Sequence, residues 1–347
     1  MSIIKVGIIG YGLSGAVFHA PLISRLKEFE LYKIASSNPD KVHKDYPETL
    51  VVASPDALIN DPQVDLVVVC APNTSHFSLT SQALNAGKHV VLEKPFVNRL
   101  EEGEELIRLA AENKCILSVY QNRRWDGDFL TIKKLIESDV LGEIYTYESH
   151  FDRFRLEVGN KWREQALEGS GILFDLGAHL IDQALQLFGK PQTIWADAFP
   201  QRPGATTIDY FHLILGYERL RVILHSGTIN KKPGPRFQVH GTKGSYIKYG
   251  LDPQEDALKR GMRPGDSGWG KESSELYGEL FTGAGELTLS GKIETLPGSY
   301  EAFYNVIYTA LTDGTPPPVT AQEALEVIKF IQLAGQSSRE KQVLLVD

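Results

Sequence analysis

The stretch Ile3-Ile4-Lys5-Val6-Gly7-Ile8-Ile9-Gly10-Tyr11-Gly12-Leu13-Ser14-Gly15 decides the fold of this chain. Its apolar first half predicts a buried strand, and residues 13–26 have the periodicity of a helix. The glycines at the end of the stretch stand in the order Gly-x-Gly-x-x-Gly. A strand, a glycine-rich turn and a helix in this order are typical of a dinucleotide-binding unit.

Each glycine of the turn has a separate physical use. Gly10 allows a tight turn, Gly12 allows a pyrophosphate to approach the backbone, and Gly15 allows the helix to pack closely on the sheet. The backbone of the intervening Tyr11 and Leu13 is expected to contact the cofactor as well. Because glycines also punctuate ordinary turns, a flavin-type or non-binding fold stays open as an alternative.

Apolar runs alternate with helix-period segments through the first third of the chain. Such runs are typical of a parallel sheet covered by helices on both faces. The predicted strands are 3–9, 31–35, 64–70, 89–92 and 115–119, and the later predicted helices are 75–86 and 100–113. We therefore expect a doubly wound α/β Rossmann domain over residues 1–120.

The rest of the chain, residues 121–347, is predicted to form a second domain with an open antiparallel sheet. Alternating Tyr, Phe and Thr-rich runs predict strands at 144–151, 193–198, 211–215 and 220–226. Helices are predicted at 300–312 and 321–336, the second opened by a capping box of Thr320 and Glu323. Residues 252–274 read as a long loop.

Composition excludes several classes of function. A net charge of -8 without a dense basic run argues against nucleic-acid and anionic-membrane partners. No run of 18 apolar residues and no leader segment is evident, so a cytoplasmic protein is expected. The two cysteines, Cys70 and Cys115, border predicted buried strands and do not suggest a cysteine metal site.

The end of the strand at 31–35 indicates which cofactor binds. An acidic side chain here would pair with the ribose 2′-hydroxyl of NAD, but the sequence has Ser36 and Ser37. Their hydroxyls and Lys41 favour a 2′-phosphate instead, so NADP is expected in preference to NAD. Two observations weaken this choice: the serines could simply cap a helix, and Asp40 is close by.

Lys94 follows the strand at 89–92, at the carboxyl edge of the sheet where ligands of such folds bind. Pro95 restricts the backbone of Lys94, and Glu93 is a candidate ion-pair partner. The alternative is that Lys94 is a solvated surface charge.

Asp175, His179 and Asp182 are spaced to share one face of a helix. The preceding Gly169-Ser170-Gly171 allows close approach of a ligand, and an imidazole is suited to exchanging a hydroxyl proton near neutral pH. A helix cap with a buried histidine is one alternative. A three-ligand metal site is another, which we rank lower because no further His or Cys cluster supports it and hydride transfer needs no metal.

Several strings of the sequence together resemble the Gfo/Idh/MocA family of nicotinamide-dependent sugar and polyol oxidoreductases, over essentially the full length. A shorter match, over residues 150–155 and 162–164, resembles the branch of this family that contains NADP-dependent scyllo-inositol dehydrogenases. The strings that carry the family resemblance are Gly10 to Gly15, Ala71 to His76, Glu93-Lys94-Pro95, Asn122 to Asp126, and Gly171 to Asp182 with Asp175 and His179.

The resemblance implies an oligomer, a homodimer or homotetramer, and a set of site residues. Catalytic positions match Lys94, Asp175 and His179. The expected cofactor contacts are Pro72, Asn73 and His76 along the ribose and pyrophosphate, Glu93 and Lys94 at the sheet edge, and Asn122, Arg123, Trp162 and Arg163 around the nicotinamide. The expected substrate contacts are Lys94, Arg123, Asp152, Asp175 and His179. Ser170 departs from the Gly of many relatives.

The expected chemistry is oxidation of a secondary alcohol of a cyclic polyol or sugar. His179 is the expected general base, Lys94 stabilises the developing oxyanion, and Asp175 orients hydroxyl groups. Lys94 itself stays open as the base. A reductase of a keto-sugar, aldose or other carbonyl compound, or a non-catalytic NADP(H) redox sensor, are the rival functions.

Overall fold

The computed structural model describes residues 3–159 and 162–346. Its strands are β1 Ile4–Ile9, β2 Phe29–Ala35, β3 Leu50–Val52, β4 Leu66–Val69, β5 His89–Leu92, β6 Leu117–Val119, β7 Ile144–His150, β8 Thr193–Phe199, β9 Tyr210–Gly216, β10 Arg221–Gly227, β11 Phe237–Gly241, β12 Gly244–Lys248, β13 Gly278–Ala284, β14 Leu287–Ile293 and β15 Leu344–Leu345. Its α-helices are α1 Ala20–Ile23, α2 Pro39–Asp45, α3 Pro55–Ile59, α4 His76–Asn85, α5 Leu100–Glu112, α6 Gly127–Glu137, α7 Ala178–Phe188, α8 Gln254–Lys259, α9 Glu301–Asp313 and α10 Ala321–Glu340.

The first compact unit contains a six-stranded parallel sheet in the order β3-β2-β1-β4-β5-β6. This order is that of a Rossmann domain, which confirms the predicted fold class. The central strand β4 is buried along its whole length, as its uninterrupted apolar sequence requires. The unit consists of Met1–Trp125, Gln254–Trp269 and Ser299–Ile328.

The helix predicted over 13–26 is wrong in form. A π-helical turn at Ser14–His19 leads into α1, which ends at Ile23. Pro21 lies in the first turn of α1, where its missing N–H costs little but prevents a continuous α-helical ladder across this point. Periodicity alone does not distinguish these two helical forms.

The second compact unit contains a nine-stranded sheet in the order β14-β13-β12-β11-β7-β10-β9-β8-β15. The unit consists of Asp126–Pro253, Gly270–Gly298 and Lys329–Asp347. Its pairs are antiparallel except β7 with β10, which is parallel, so the predicted antiparallel sheet is corrected to a mixed, mostly antiparallel one.

The two faces of the central strands differ in burial. Tyr147 on β7 is fully buried and stacks edge-on against Phe188 of α7, with ring centroids 5.3 Å apart. The alternate residues of the same strands, such as Glu148 and His150, are only half-buried. Side chains alternate along a strand, so one face of the sheet holds the core and the other bears polar groups.

Two predictions about the chain after residue 250 have opposite outcomes. The capping box is confirmed, because Glu323 N donates to Thr320 Oγ1 at 3.1 Å and Thr320 N donates to Glu323 Oε2 at 2.8 Å. The loop predicted at 252–274 is wrong in part, because it contains α8.

None of the helices within the described part of the chain has the length and apolar character that a membrane span requires.

Candidate active site

The glycine-rich turn has the geometry that its sequence predicts. Gly10 has a φ of +95°, and a Cβ added there would lie 2.9 Å from the carbonyl oxygen of Cys70. A Cβ on Gly15 would lie 2.2 Å from the carbonyl oxygen of Gly10, so close packing requires a glycine at this position. A Cβ on Gly12 would meet nothing within 4 Å. Of the three glycines of the turn, only Gly12 therefore has open space where a side chain would lie.

Glu93, at the end of β5, is the centre of a buried hydrogen-bond cluster beside this turn. Its carboxylate accepts hydrogen bonds from the Ser14 hydroxyl, from His19 Nε2 at 2.9 Å and from the backbone N–H of Lys94 at 3.0 Å. The other ring nitrogen of His19 lies 2.6 Å from the hydroxyl of Tyr304. Glu93 thus links the glycine-rich turn to the segment after β5 that contains Lys94.

The protonation of Glu93 depends on these contacts. Burial raises its pKa, but hydrogen bonds from His19 and Ser14 and the electrostatic attraction of His19 and Lys94 outweigh burial and lower the pKa to about 2. The carboxylate is therefore ionised at neutral pH.

Replacing Glu93 by glutamine is expected to reduce stability in a pH-dependent way. A pKa below the unfolded value contributes stability above about pH 4.5, which is lost as the pH falls towards 2. We expect Glu93→Gln to lower the free energy of unfolding at pH 7 by about 3 kcal/mol and to flatten its acid dependence. Urea unfolding at several pH values measures this. Glu104→Gln, at an exposed position, is the control, and an equal loss there would contradict the prediction.

The end of β2 carries the side chains predicted to choose the cofactor. Ser36 is half-buried, and Ser37 and Lys41 are exposed. The helix-cap alternative for the serines is wrong, because Asn38 caps α2 by accepting the N–H of Lys41 at 3.0 Å. The Lys41 ammonium donates to the carbonyl oxygen of Tyr11 at 3.0 Å, so it stands at the glycine-rich turn.

His76, predicted to lie along the cofactor, joins two loops at the carboxyl edge of the sheet. Its Nδ1 is 2.8 Å from the carbonyl oxygen of Pro95, and its Nε2 is 3.1 Å from that of Ala71. Burial lowers the pKa of His76. Asn73 is buried and donates to Asn98 Oδ1 at 3.0 Å, while Pro72 is exposed. Their contacts with a cofactor stay predictions.

Arg123, predicted to lie near the nicotinamide, is buried and paired with an acidic residue of α8. Its Nη2 is 2.8 Å from Glu255 Oε2, and the other carboxylate oxygen of Glu255 is 2.7 Å from Lys259 Nζ. The neighbouring Asn122 is buried too. The ion pair explains how a buried guanidinium is tolerated, because a charge removed from water needs a partner.

Asp175 and His179 follow one another along a continuous helical segment of the second unit. Asp175 lies in a π-helical turn, Leu173–Gly177, and its carboxylate is 3.4 Å from Arg163 Nη1. Gly171, with a φ of +87°, donates its N–H to the carbonyl oxygen of Arg163. This turn holds Arg163 beside Asp175. The side chain of Trp162 lies outside the described residues.

His179 is the second residue of α7 and is buried, as is Asp182 three residues later. Asp175, His179 and Asp182 were predicted to share one face of a helix. They do not lie in a single α-helix, because Asp175 is in the π-helical turn and the other two residues are in α7. Lys94 belongs to the first unit, while Asp175 and His179 belong to the second. Their joint catalytic role stays a prediction.

Asp152 has contacts on the sheet of the second unit. Its Oδ1 is 2.9 Å from His225 Nδ1 and accepts the N–H of Gly227 at 2.9 Å. Its role towards substrate also stays a prediction.

The residues of these clusters that the sequence did not indicate include His19, Tyr304 and Glu255. Tyr304 reaches His19 across 285 positions of the chain, and Glu255 reaches Arg123 across 132. Local patterns do not indicate such long-range pairs. The one available signal was the position of His19, four residues after Gly15 and therefore one helical turn beyond it.

Comparison with known proteins agrees with this architecture. Two family models of the Gfo/Idh/MocA oxidoreductases match the chain: the NAD-binding Rossmann fold over residues 4–121 and the C-terminal alpha/beta domain over residues 133–346. Scyllo-inositol 2-dehydrogenase (NADP(+)) IolW of Bacillus subtilis is 46% identical over 99% of this chain and 96% of its own length. The uncharacterized oxidoreductase YdgJ of Escherichia coli is 47% identical over 98% of both chains.

A solved structure of the putative oxidoreductase YvaA from Bacillus subtilis has the same fold. It superposes with a TM-score of 0.97 at 46% identity, covering 100% of this chain and 99% of the other. The Rossmann sheet, the glycine-rich turn and the mixed sheet of the second unit are thus features of a known family. The chain belongs to the Gfo/Idh/MocA family of oxidoreductases and is an NAD(P)-dependent dehydrogenase that acts on CH–OH groups.

Proposed function

We propose that this dehydrogenase uses NADP to oxidise a secondary alcohol of a cyclic polyol, with scyllo-inositol as the substrate. The observation that carries the cofactor choice is the end of β2, where Ser36 and Ser37 replace a carboxylate. The similarity to IolW, whose name gives both scyllo-inositol and NADP(+), supports the substrate choice.

The geometry of the first unit fits a dinucleotide. The open space at Gly12 lies between two glycines that are packed against backbone, which is the arrangement that lets a pyrophosphate approach the chain closely. The amide groups of this turn and the positive end of the following helix favour an anion there.

Charge at the end of β2 favours the additional phosphate of NADP. The hydroxyls of Ser36 and Ser37 can donate to phosphate oxygens, and the Lys41 ammonium supplies a positive charge. Lys41 is exposed, and its ammonium lies 5.3 Å from the centre of the Tyr11 ring, beside the glycine-rich turn.

A carboxylate placed at Ser37 tests the cofactor choice. We expect Ser37→Asp to reduce kcat/KM for NADP by at least about tenfold, because it would repel a 2′-phosphate, and to leave kcat/KM for NAD unchanged or raised. Ser37→Asn, which is neutral, is the matched control. Equal values of kcat/KM for NADP in the two variants would contradict the role of charge at this position.

The proposed mechanism assigns one task to each of three side chains. Bound NADP supplies a hydride acceptor. His179 Nε2 or Nδ1 takes the proton of the substrate hydroxyl, and in the reverse direction the imidazolium returns it. The Lys94 ammonium stabilises the negative charge that develops on the substrate oxygen, and Asp175, held by Arg163, orients substrate hydroxyls.

We also propose that the chain forms a homodimer or homotetramer. The half-buried face of the nine-stranded sheet offers apolar side chains among its polar ones, including Trp195, Ile214 and Ile223. A face of this kind is suited to pairing with a second copy. Light scattering after size-exclusion chromatography measures the mass, and a monomer at micromolar concentration would contradict the proposal.

A substrate panel tests the proposed function directly. Oxidation of scyllo-inositol, myo-inositol and several aldoses is followed by the absorbance of the reduced cofactor, with NADP and with NAD. We expect the highest kcat/KM for scyllo-inositol with NADP. Turnover of an aldose alone, or reduction of a keto-sugar alone, would contradict scyllo-inositol as the substrate but would leave the assignment as a dehydrogenase unchanged.

A further inference from the structure

Three imidazoles stand side by side on the half-buried face of the nine-stranded sheet. His225 of β10 is directly opposite His150 of β7 on one side and His212 of β9 on the other. The ring centroid of His225 is 5.2 Å from that of His150 and 5.8 Å from that of His212. Because opposite residues of neighbouring strands share a face, the sheet itself fixes this row.

A carboxylate completes the cluster. Asp152 follows His150 by two residues, and its Oδ2 is 3.9 Å from His150 Nδ1 while its Oδ1 is 2.9 Å from His225 Nδ1. Its Oδ1 also accepts the N–H of Gly227 at 2.9 Å. A carboxylate oxygen is one of the ligands that Zn²⁺ takes in proteins.

The histidine nitrogens that face Asp152 are suited to coordination. His150 donates from Nε2 to Glu148 Oε2 at 3.2 Å, which leaves the lone pair of Nδ1 available in the neutral ring. His225 Nδ1 is buried and lies 2.9 Å from Asp152 Oδ1. Its lone pair is available for a metal ion in the tautomer that carries the proton on Nε2.

The set of donor atoms matches a first-row transition metal. One atom each from His150, Asp152 and His225 lie within 4.8 Å of one another, and ligands of a tetrahedral zinc ion are about 3.4 Å apart. Small side-chain rotations close this difference. The Glu148 contact reproduces the carboxylate–histidine–metal arrangement that orients ligands in metal sites, and Gln238 Nε2 in turn donates to Glu148 at 3.0 Å.

We propose that His150, Asp152 and His225 bind one divalent transition-metal ion, such as Zn²⁺, with a fourth position open to water. None of Lys94, Asp175 and His179 belongs to this site, so we assign it a structural role. A bound ion would link β7 and the residues that follow it to β10. A metal bound to the folded chain alone stabilises it in proportion to its occupancy. Loading of this site would also occupy Asp152, which removes that residue from any contact with substrate.

Calorimetric titration of ZnCl₂ into the chelator-treated full chain tests the proposal. We expect one ion per chain with micromolar or tighter affinity, and a Co²⁺ derivative with the visible absorption of a tetrahedral nitrogen and oxygen site. His225→Gln and His150→Gln should each weaken binding about a hundredfold, and Glu148→Gln about tenfold.

His240→Gln is the matched control. His240 lies on the same face of the sheet, on β11, but its Nδ1 is paired with Ser245 Oγ at 2.8 Å. Its substitution should leave zinc affinity unchanged. The test uses both His225→Gln and His150→Gln, so that it does not depend on the folding of one variant. Circular dichroism of each metal-free protein identifies a variant that has not folded. Absence of saturable binding, or binding that folded His225→Gln and His150→Gln both retain, would overturn the proposal.

Discussion

Replacing Lys94 by alanine should reduce kcat by about a hundredfold or more while NADPH still binds with nearly its original affinity. The proposed role of the ammonium is to stabilise negative charge on the substrate oxygen, and a donor of this kind contributes about 3 kcal/mol in the transition state. The substrate oxygen carries no such charge before the reaction, so binding changes less than turnover.

Three further variants sharpen this prediction. Lys94→Arg keeps the charge and should recover part of the lost rate, whereas Lys133→Ala, at an exposed position of α6, should change nothing. His179→Ala should lose turnover and retain NADPH binding in the same way, because imidazole is its proposed proton acceptor. Undiminished turnover in Lys94→Ala or in His179→Ala would remove that residue from the mechanism.

Replacing Gly12 by alanine should weaken NADPH binding by about a hundredfold, or about 2.7 kcal/mol, without lowering the melting temperature. The added methyl group would meet no atom of the protein within 4 Å, so the fold accommodates it. It would instead occupy the space through which the pyrophosphate approaches the backbone. Fluorescence titration with NADPH and thermal unfolding measure the two quantities separately.

Gly15→Ala is the contrasting variant for this prediction. Its Cβ would lie 2.2 Å from the Gly10 carbonyl oxygen, so we expect a loss of about 1–3 kcal/mol in stability. Wild-type affinity in Gly12→Ala would show that the cofactor does not approach the chain at this point.

The sequence predicted five of the six strands of the first unit and helices α4 and α5, because their signals are local, but it did not indicate α2 and α3. The strand at 89–92 agrees with β5 to the residue, and the helix predicted at 100–113 agrees with α5 to within one residue. Burial on both faces of a parallel sheet produces long apolar runs, which are easily read. The short edge strand β3, of three residues, lacks such a run and was missed.

Parts of the chain that join distant segments could not be predicted in the same way. Residues 254–269 and 299–328 pack within the first unit, although the sequence places them far beyond β6. The parallel pairing of β7 with β10 also joins segments more than 70 residues apart. Nothing in the local pattern of either strand specifies its partner.

The candidate site shows the same division between local and long-range information. The order of the glycines in the sequence predicted the glycine-rich turn, in which Gly10 and Gly15 pack against backbone and Gly12 faces open space. The partners of Glu93 and Arg123 come from other segments and were found only in the structure. The row of histidines on the sheet was likewise invisible, because strand register brings it together.

The most direct test of the proposed function follows the hydride itself. Scyllo-inositol deuterated at its ring carbons is incubated with the enzyme and NADP, and the reduced cofactor is examined by mass spectrometry. The proposal predicts NADPH that is heavier by one deuterium, formed together with the inositol ketone. Reduced cofactor without deuterium, or tight NADPH binding with no transfer at all, would contradict it and favour another substrate or a redox sensor.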